Sequence, residues 1–374
     1  MLNPQADIFH ERLERCSKAS QDLSRSLSGF AGRRSGEWQS LIQSCGCQDR
    51  SSDTNQPREG ETPYRTVYME AGWRLLSFGL GSGPSLLVIP SLINRWYILD
   101  LMKECSFVRF MADRGFRVFA LDWGIPGPEH DHLDLETYMV KWIGRAARKV
   151  RDEGDGRLFL MGYCMGATMA AVYAAVRPEG LDGFISLAAP YDFSCNDTLS
   201  TLARQIDVDR LVDAIGTMPP ELMQAGFMYA QPTSALEKMK SLYRNNGNPA
   251  RNRTFSNLEQ WLCDNVPFPA QAYRQYIKGF YQENALVNET MTCAGERVSL
   301  ANITMPVLNV VALKDNIVPA QAAKALNSMV SSPVNEHIDV DAGHIGVIMG
   351  SKAKDAWQGI GDWMEKVKSG KATS

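Results

Sequence analysis

Gly162-Tyr-Cys-Met-Gly166 sits between an apolar run, Leu158-Phe-Leu-Met161, and a run of small residues, Ala167-Thr-Met-Ala-Ala171. Strand, sharp turn and helix in that order form the setting of a nucleophile elbow, normally written G-x-S-x-G. Glycines on both sides of the turn let strand and helix approach without Cβ clashes. The turn holds its central residue in a strained backbone conformation, so the side chain stands free above the strand end. Here that residue is Cys164, a thiol. The helix start behind it favours negative charge, which suits a thiolate and a developing oxyanion. Free cysteine is also often buried as simple core; the glycine spacing and the flanking elements favour the nucleophile.

The chain around this turn reads as alternating strands and helices. From Tyr64 onward, Thr66–Met69 and Trp73–Phe78 pattern as a hairpin. Apolar runs follow at 86–89, 117–121, 158–161, 184–187, 307–312 and 336–340, with helical stretches at 134–152, 165–177, 319–330 and 351–367. Apolar runs with intervening helices predict a mostly parallel sheet covered on both faces. The order of hairpin, parallel strands, elbow, further strands and final helix is that of the α/β-hydrolase fold. One interruption, about 194–301, lacks the repeat and instead carries amphipathic helical pieces; at that position the expectation is a cap over the active site.

Residues 1–63 differ. Ile8, Leu13, Leu23 and Leu27 are thinly spread among charged and polar residues, which predicts a weak amphipathic helix followed by a polar linker. Such a helix serves a partner chain or is a frayed tail; both stay open. The catalytic domain is expected over 64–374.

Composition narrows the setting. With 374 residues and 44% hydrophobic content, the chain can bury a large core. A net charge of −3 points to no nucleic-acid partner. No apolar run reaches spanning length, and the N-terminus lacks the apolar segment of a secretory signal. Eight cysteines without metal-ligand or disulfide rhythm fit a reducing cytoplasm, and no metal site is expected.

A thiol needs a base, because at neutral pH only a few per cent is thiolate. Of five histidines, His10 falls in the tail, His130 and His132 in a polar loop, and His337 within a strand. His344 follows the last strand in a glycine-flanked loop, where the order nucleophile, acid, histidine expects the base. Asp315, just after the 307–312 run, is the expected acid; a helix N-cap carboxylate is the plainer reading of it. Asp341 is nearer His344 in sequence but belongs to the wrong strand. The oxyanion hole is expected from the Met165 amide and one amide of the loop after 86–89, with Leu92 and Ile93 as candidates.

With these residues assembled, the chain resembles the polyhydroxyalkanoate synthases, most closely the short catalytic subunits of the two-component class III and class IV enzymes. The resemblance is carried by Pro90–Leu101, Leu121-Asp-Trp-Gly124, Gly162–Gly166, Pro190-Tyr-Asp-Phe193, Tyr273–Tyr281, Val298–Ile303 and Gly343-His-Ile-Gly346. It implies that Cys164 is acylated, with His344 and Asp315 completing a triad. It also implies 3-hydroxyacyl-CoA as substrate, a growing polyester as product and no cofactor beyond the coenzyme A thioester. A homodimer or a second non-catalytic subunit is the implied partner, and the cytoplasmic surface of polyester granules the implied location. Two positions depart from the family pattern: Ala167 stands where a glycine is usual, and Asn316 where a histidine commonly follows the acid. A cysteine-dependent hydrolase, of thioesterase or dienelactone-hydrolase type, shares the same triad. A granule-associated binding protein with a weakened site is the third reading.

Overall fold

The computed structural model describes residues 60–79, 81–230 and 249–370. The expected tail helix and most of the expected linker lie outside the described residues. Among the described residues, eight strands form one sheet: β1 Arg65–Glu70, β2 Trp73–Ser77, β3 Ser85–Ile89, β4 Arg117–Asp122, β5 Leu158–Tyr163, β6 Gly183–Leu187, β7 Val307–Ala312 and β8 Asn335–Val340. Their spatial order is β1-β2-β4-β3-β5-β6-β7-β8. The hairpin strand β2 runs antiparallel to β4, and every pairing from β4 to β8 is parallel. This is the α/β-hydrolase arrangement, and the strand positions match the apolar runs of the sequence.

The reason lies in burial. Every residue of β3, β5, β6 and β7 is buried, so these strands read as continuous apolar runs rather than alternating ones. The outer strand β8 keeps only Val340 buried, and its polar residues are correspondingly frequent. Helices α1 Phe107–Asp113, α2 Ile143–Glu153, α3 Met165–Val176, α4 Ala320–Met329 and α5 Ala353–Lys368 connect or follow the strands. The helix expected over 134–152 is present with a local change: Thr137–Trp142 is wound as a π-helix leading into α2. There Tyr138 and Trp142 meet edge to face at 4.6 Å, and Trp73 and Trp123 pack beside Trp142.

Helix α3 is buried at all twelve positions, and its small residues allow that. A Cβ on Gly162 would collide with the backbone of Ala167, and one on Gly166 with the carbonyl oxygens of Ile89 and Pro90. Thus α3 starts directly against the end of β3. Ala167 itself is fully buried without displacing this contact, so the departure from Gly-Gly at that position is accommodated.

Between β6 and β7 the described residues are helical: Thr198–Gln205, Val208–Ile215, Pro220–Ala230 and Ala270–Tyr276, the last continuing as a π-helix to Gln282. A two-stranded ribbon, Thr292–Cys293 with Glu296–Arg297, follows. Helix Pro249–Cys263 belongs to a separate compact unit. The segment 270–284 is held to the stretch after β6 by polar and aromatic contacts. Asn284 accepts from the Phe193 amide at 3.0 Å and donates to Asp192 at 2.9 Å. Phe193 meets Tyr281 edge to face at 4.9 Å, and Tyr276 and Phe280 lie 4.8 Å apart.

The close approach at Gly166 gives a direct test. Gly166→Ala is expected to destabilise the fold by about 1–3 kcal/mol, as overpacking against fixed backbone does. Urea denaturation reads this as a lower midpoint at unchanged slope; an unaltered midpoint would show that the contact yields freely.

Candidate active site

Cys164 stands at the junction of β5 and α3 with φ 53° and ψ −133°, a region that non-glycine residues rarely occupy. Its amide donates to the Leu187 carbonyl at 2.9 Å, and its own carbonyl accepts from the Ala167 amide at 2.8 Å. These bonds hold the turn, and the side chain remains partly exposed at the carboxyl edge of the sheet. Thr168 reinforces the start of α3 by donating to the Pro190 carbonyl at 2.8 Å.

His344 and Asp315 come from the loops after β8 and β7. The Lys314 amide donates to the Ala342 carbonyl at 2.9 Å, which joins the two loops. The Asp315 carboxylate is almost wholly buried, with 1% of its side chain accessible. One oxygen accepts from the Ile317 and Val318 amides at 2.8 and 2.9 Å. The other lies 2.6 Å from His344 Nδ1. Asn316 is exposed, so backbone amides and the imidazole hold Asp315 without help from that side chain. Asp341 pairs with Lys314 at 2.8 Å instead of with His344. His130 accepts from the Gly127 amide, while His132 and His337 are exposed away from this cluster. His10 lies outside the described residues.

The His344 ring also interacts electrostatically with the Cys164 side chain. Burial opposes charge on the ring, but the Cys164 thiolate, the Asp315 carboxylate and the hydrogen bond to Asp315 outweigh it, pushing the imidazole up to about 10. The ring therefore holds its proton more strongly than a free imidazole does. Tyr163, given no role of its own in the elbow motif, stacks on this ring at 5.3 Å between centroids and donates to the His344 carbonyl at 3.3 Å. Burial, then the charges of Cys164 and Asp315, push its phenol well above the usual value, so it remains a neutral donor.

The expected oxyanion residues lie at the start of α3 and in the loop after β3. Met165 opens α3, which abuts Ile89 and Pro90, and Leu92 and Ile93 follow in a buried loop. Trp123 Nε1 donates to the Pro90 carbonyl at 3.0 Å and fixes the start of that loop. On another side, Phe193, Tyr276 and Phe280 belong to the same apolar cluster that packs on Cys164. Burial, with the Cys164 charge adding to it, raises the phenols of Tyr276 and Tyr281. Of the insertion's other aromatics, Phe268 is buried as core, Tyr229 is 64% exposed and Tyr243 lies outside the described residues.

Fold and site together define an α/β-hydrolase-type protein with a thiol in place of the usual serine. The matching family model is that of the alpha/beta hydrolase fold, over residues 84–351. The poly(3-hydroxyalkanoate) polymerase subunit PhaC of Haloferax mediterranei is 34% identical over 327 residues, covering 84% of this chain and 66% of that one. This chain therefore spans just under two thirds of that relative's length. The PhaC subunit of Allochromatium vinosum is 31% identical, covering 82% of this chain and 89% of that one. The chain belongs to the PhaC family of poly(3-hydroxyalkanoate) polymerase subunits. Among solved structures, the monoacylglycerol lipase of Paleococcus ferrophilus is similar in fold, with a TM-score of 0.50 at 16% identity over 80% of this chain and all of that one. No helix among the described residues is long and apolar enough to cross a membrane.

The raised imidazole fixes the sign of a pH effect. Its folded value of about 10 exceeds the ordinary 6.5, so the charged ring stabilises the folded chain fully below about pH 6.5. That contribution is lost as pH rises toward 10. Urea unfolding of the wild type and His344→Gln should therefore show a stability gap that is widest in mild acid and closes with rising pH. A gap that widens instead would contradict the charged ring.

Proposed function

We propose that this chain polymerises (R)-3-hydroxyacyl-CoA, with short-chain units such as 3-hydroxybutyryl-CoA as substrates, into a polyester with release of coenzyme A. The observation that carries this reading is the electrostatic coupling of Cys164 to an imidazole that is itself held by buried Asp315, in a chain of the PhaC family.

The Cys164 thiolate attacks the thioester carbonyl of the substrate. A new carbon–sulfur bond forms, the bond to coenzyme A breaks, and the departing thiolate takes the proton of the His344 imidazolium. One thioester replaces another, so the step is near thermoneutral and the acyl group stays activated. Acylation also removes the thiolate charge, the largest of the influences raising the imidazole. The neutral ring then has reason to accept a proton. The 3-hydroxyl of another hydroxyacyl unit attacks the Cys164 thioester, its proton passes to His344, an oxyester forms, and the Cys164 thiolate is released opposite a recharged imidazolium. Asp315 orients the ring and supports its charge in both steps. The Met165 amide and an amide of the Leu92–Ile93 stretch would hold the oxyanion. The 194–301 segment would act as a cap that opens for pantetheine and polymer, aided by a second copy or a non-catalytic subunit at a cytoplasmic granule surface.

The test is coenzyme A release together with polymer formation from 3-hydroxybutyryl-CoA. Cys164→Ala should lower turnover by on the order of a million-fold, the scale of losing a triad nucleophile. It should also move the His344 titration, followed by imidazole NMR, to lower pH. Free hydroxy acid without polymer would favour a hydrolase, and turnover surviving in Cys164→Ala would remove the thiol from the mechanism.

A further inference from the structure

The loop after β3 is anchored at both ends, and the second anchor is polar, half-buried and remote in sequence. At its start, Trp123 holds the Pro90 carbonyl. At its far end, successive loop residues reach three consecutive residues, Asp264 to Val266. The Ile93 carbonyl accepts from the Val266 amide at 3.2 Å. The Asn94 side-chain amide donates to Asn265 Oδ1 at 2.6 Å. Buried Arg95 places its Nε 3.8 Å from Asp264, and the Tyr97 hydroxyl donates to the same carboxylate oxygen at 2.7 Å. Asn265 in turn donates to Gln224 Oε1 at 3.1 Å, which orients its amide group.

Leu92 and Ile93 are buried in this loop, whose start at Pro90 abuts Gly166 at the start of α3. Apolar packing alone would keep such a loop folded, but it would not fix the direction of a peptide N–H. Directional bonds on both sides do. Oxyanion stabilisation depends on that direction, since donors must sit about 2.7–3.1 Å from the developing charge.

We propose that Asp264 and Asn265 are positioning residues that hold the amides of Leu92 and Ile93 at the oxyanion position beside Cys164. This assignment rests on the acyl-transfer reading of the Cys164 site. It makes the 264–266 segment part of the machinery for stabilising the transition state, although neither side chain touches the substrate.

Two reactions of Cys164 separate this role from a merely structural one. Alkylation by iodoacetamide needs the thiolate but passes through no tetrahedral oxyanion; acylation by a thioester needs both. In Asn265→Ala, kcat for acylation by an aryl thioester of butyrate should fall roughly 10- to 100-fold, the scale of a misplaced donor, while KM and the alkylation rate stay near wild type. Asn265→Asp keeps an oxygen to accept from Asn94 and should recover most of that loss. Tyr97→Phe, a gentler change that tests the anchor if Asn265→Ala does not fold, should shift kcat in the same direction by less. Unchanged acylation in both Asn265→Ala and Tyr97→Phe would overturn the proposal. So would alkylation falling by the same factor as acylation. A wild type that is acylated by the aryl thioester but makes no polymer from 3-hydroxybutyryl-CoA would overturn the polymerase reading alone, because the anchor is still measured by acylation.

Discussion

The backbone of Cys164 is the constraint on which the rest of the site depends. A non-glycine residue at φ 53° is costly, by about 1–3 kcal/mol, and persists only where its surroundings over-determine it. Here the surroundings are the Leu187 carbonyl on β6, the glycine contacts that seat α3 against β3 and β5, and the bond from Thr168 to Pro190. Each belongs to the parallel sheet or its crossover helix. The same contacts that strain the turn lift the thiol to the carboxyl edge, where the loops after β7 and β8 deliver Asp315 and His344. Core packing and site geometry are one structure at this point.

Charge is distributed to match. Asp315 spends one carboxylate oxygen on two backbone amides and the other on His344, so both oxygens of a buried group are partnered. The imidazole interacts with both that carboxylate and the thiol, and Tyr163 stacks on its ring. In the proposed mechanism, acylation of the sulfur removes the charge that most raises the ring and leaves it to act as a base, an alternation that suits repeated acyl transfer.

Much of this was legible in the sequence because the informative relations are short-range or ordered along the chain. The elbow needs only five consecutive residues, with its glycines three-dimensionally justified by the backbones they meet. The continuous apolar runs of β3, β5, β6 and β7 follow from burial on both faces. Asp315 over Asp341 followed from strand order, and the register agrees: Asp341 turns to Lys314 while His344 reaches Asp315. Where Asn316 departs from the family pattern, no sequence pattern shows that the acid is held by amides two and three residues on. Equally hidden were the stacking of Tyr163 on His344 and the bond from Tyr97 to Asp264, which join residues 181 and 167 positions apart. No periodicity encodes such pairs; they exist only once the sheet has assembled. The π-helical stretch before α2 likewise departs from a periodicity that reads simply as helix.

The central claim is that Cys164 carries the acyl chain as a thioester opposite a chargeable imidazole. Rapid-quench mass spectrometry of the intact protein, mixed with 3-hydroxybutyryl-CoA and followed by peptide mapping, measures this most directly. The account predicts a hydroxybutyryl adduct, extending to oligomers with time, confined to the peptide containing Cys164 and released by hydroxylamine. Coenzyme A release with no adduct on that peptide, or with the adduct on another residue, would contradict it.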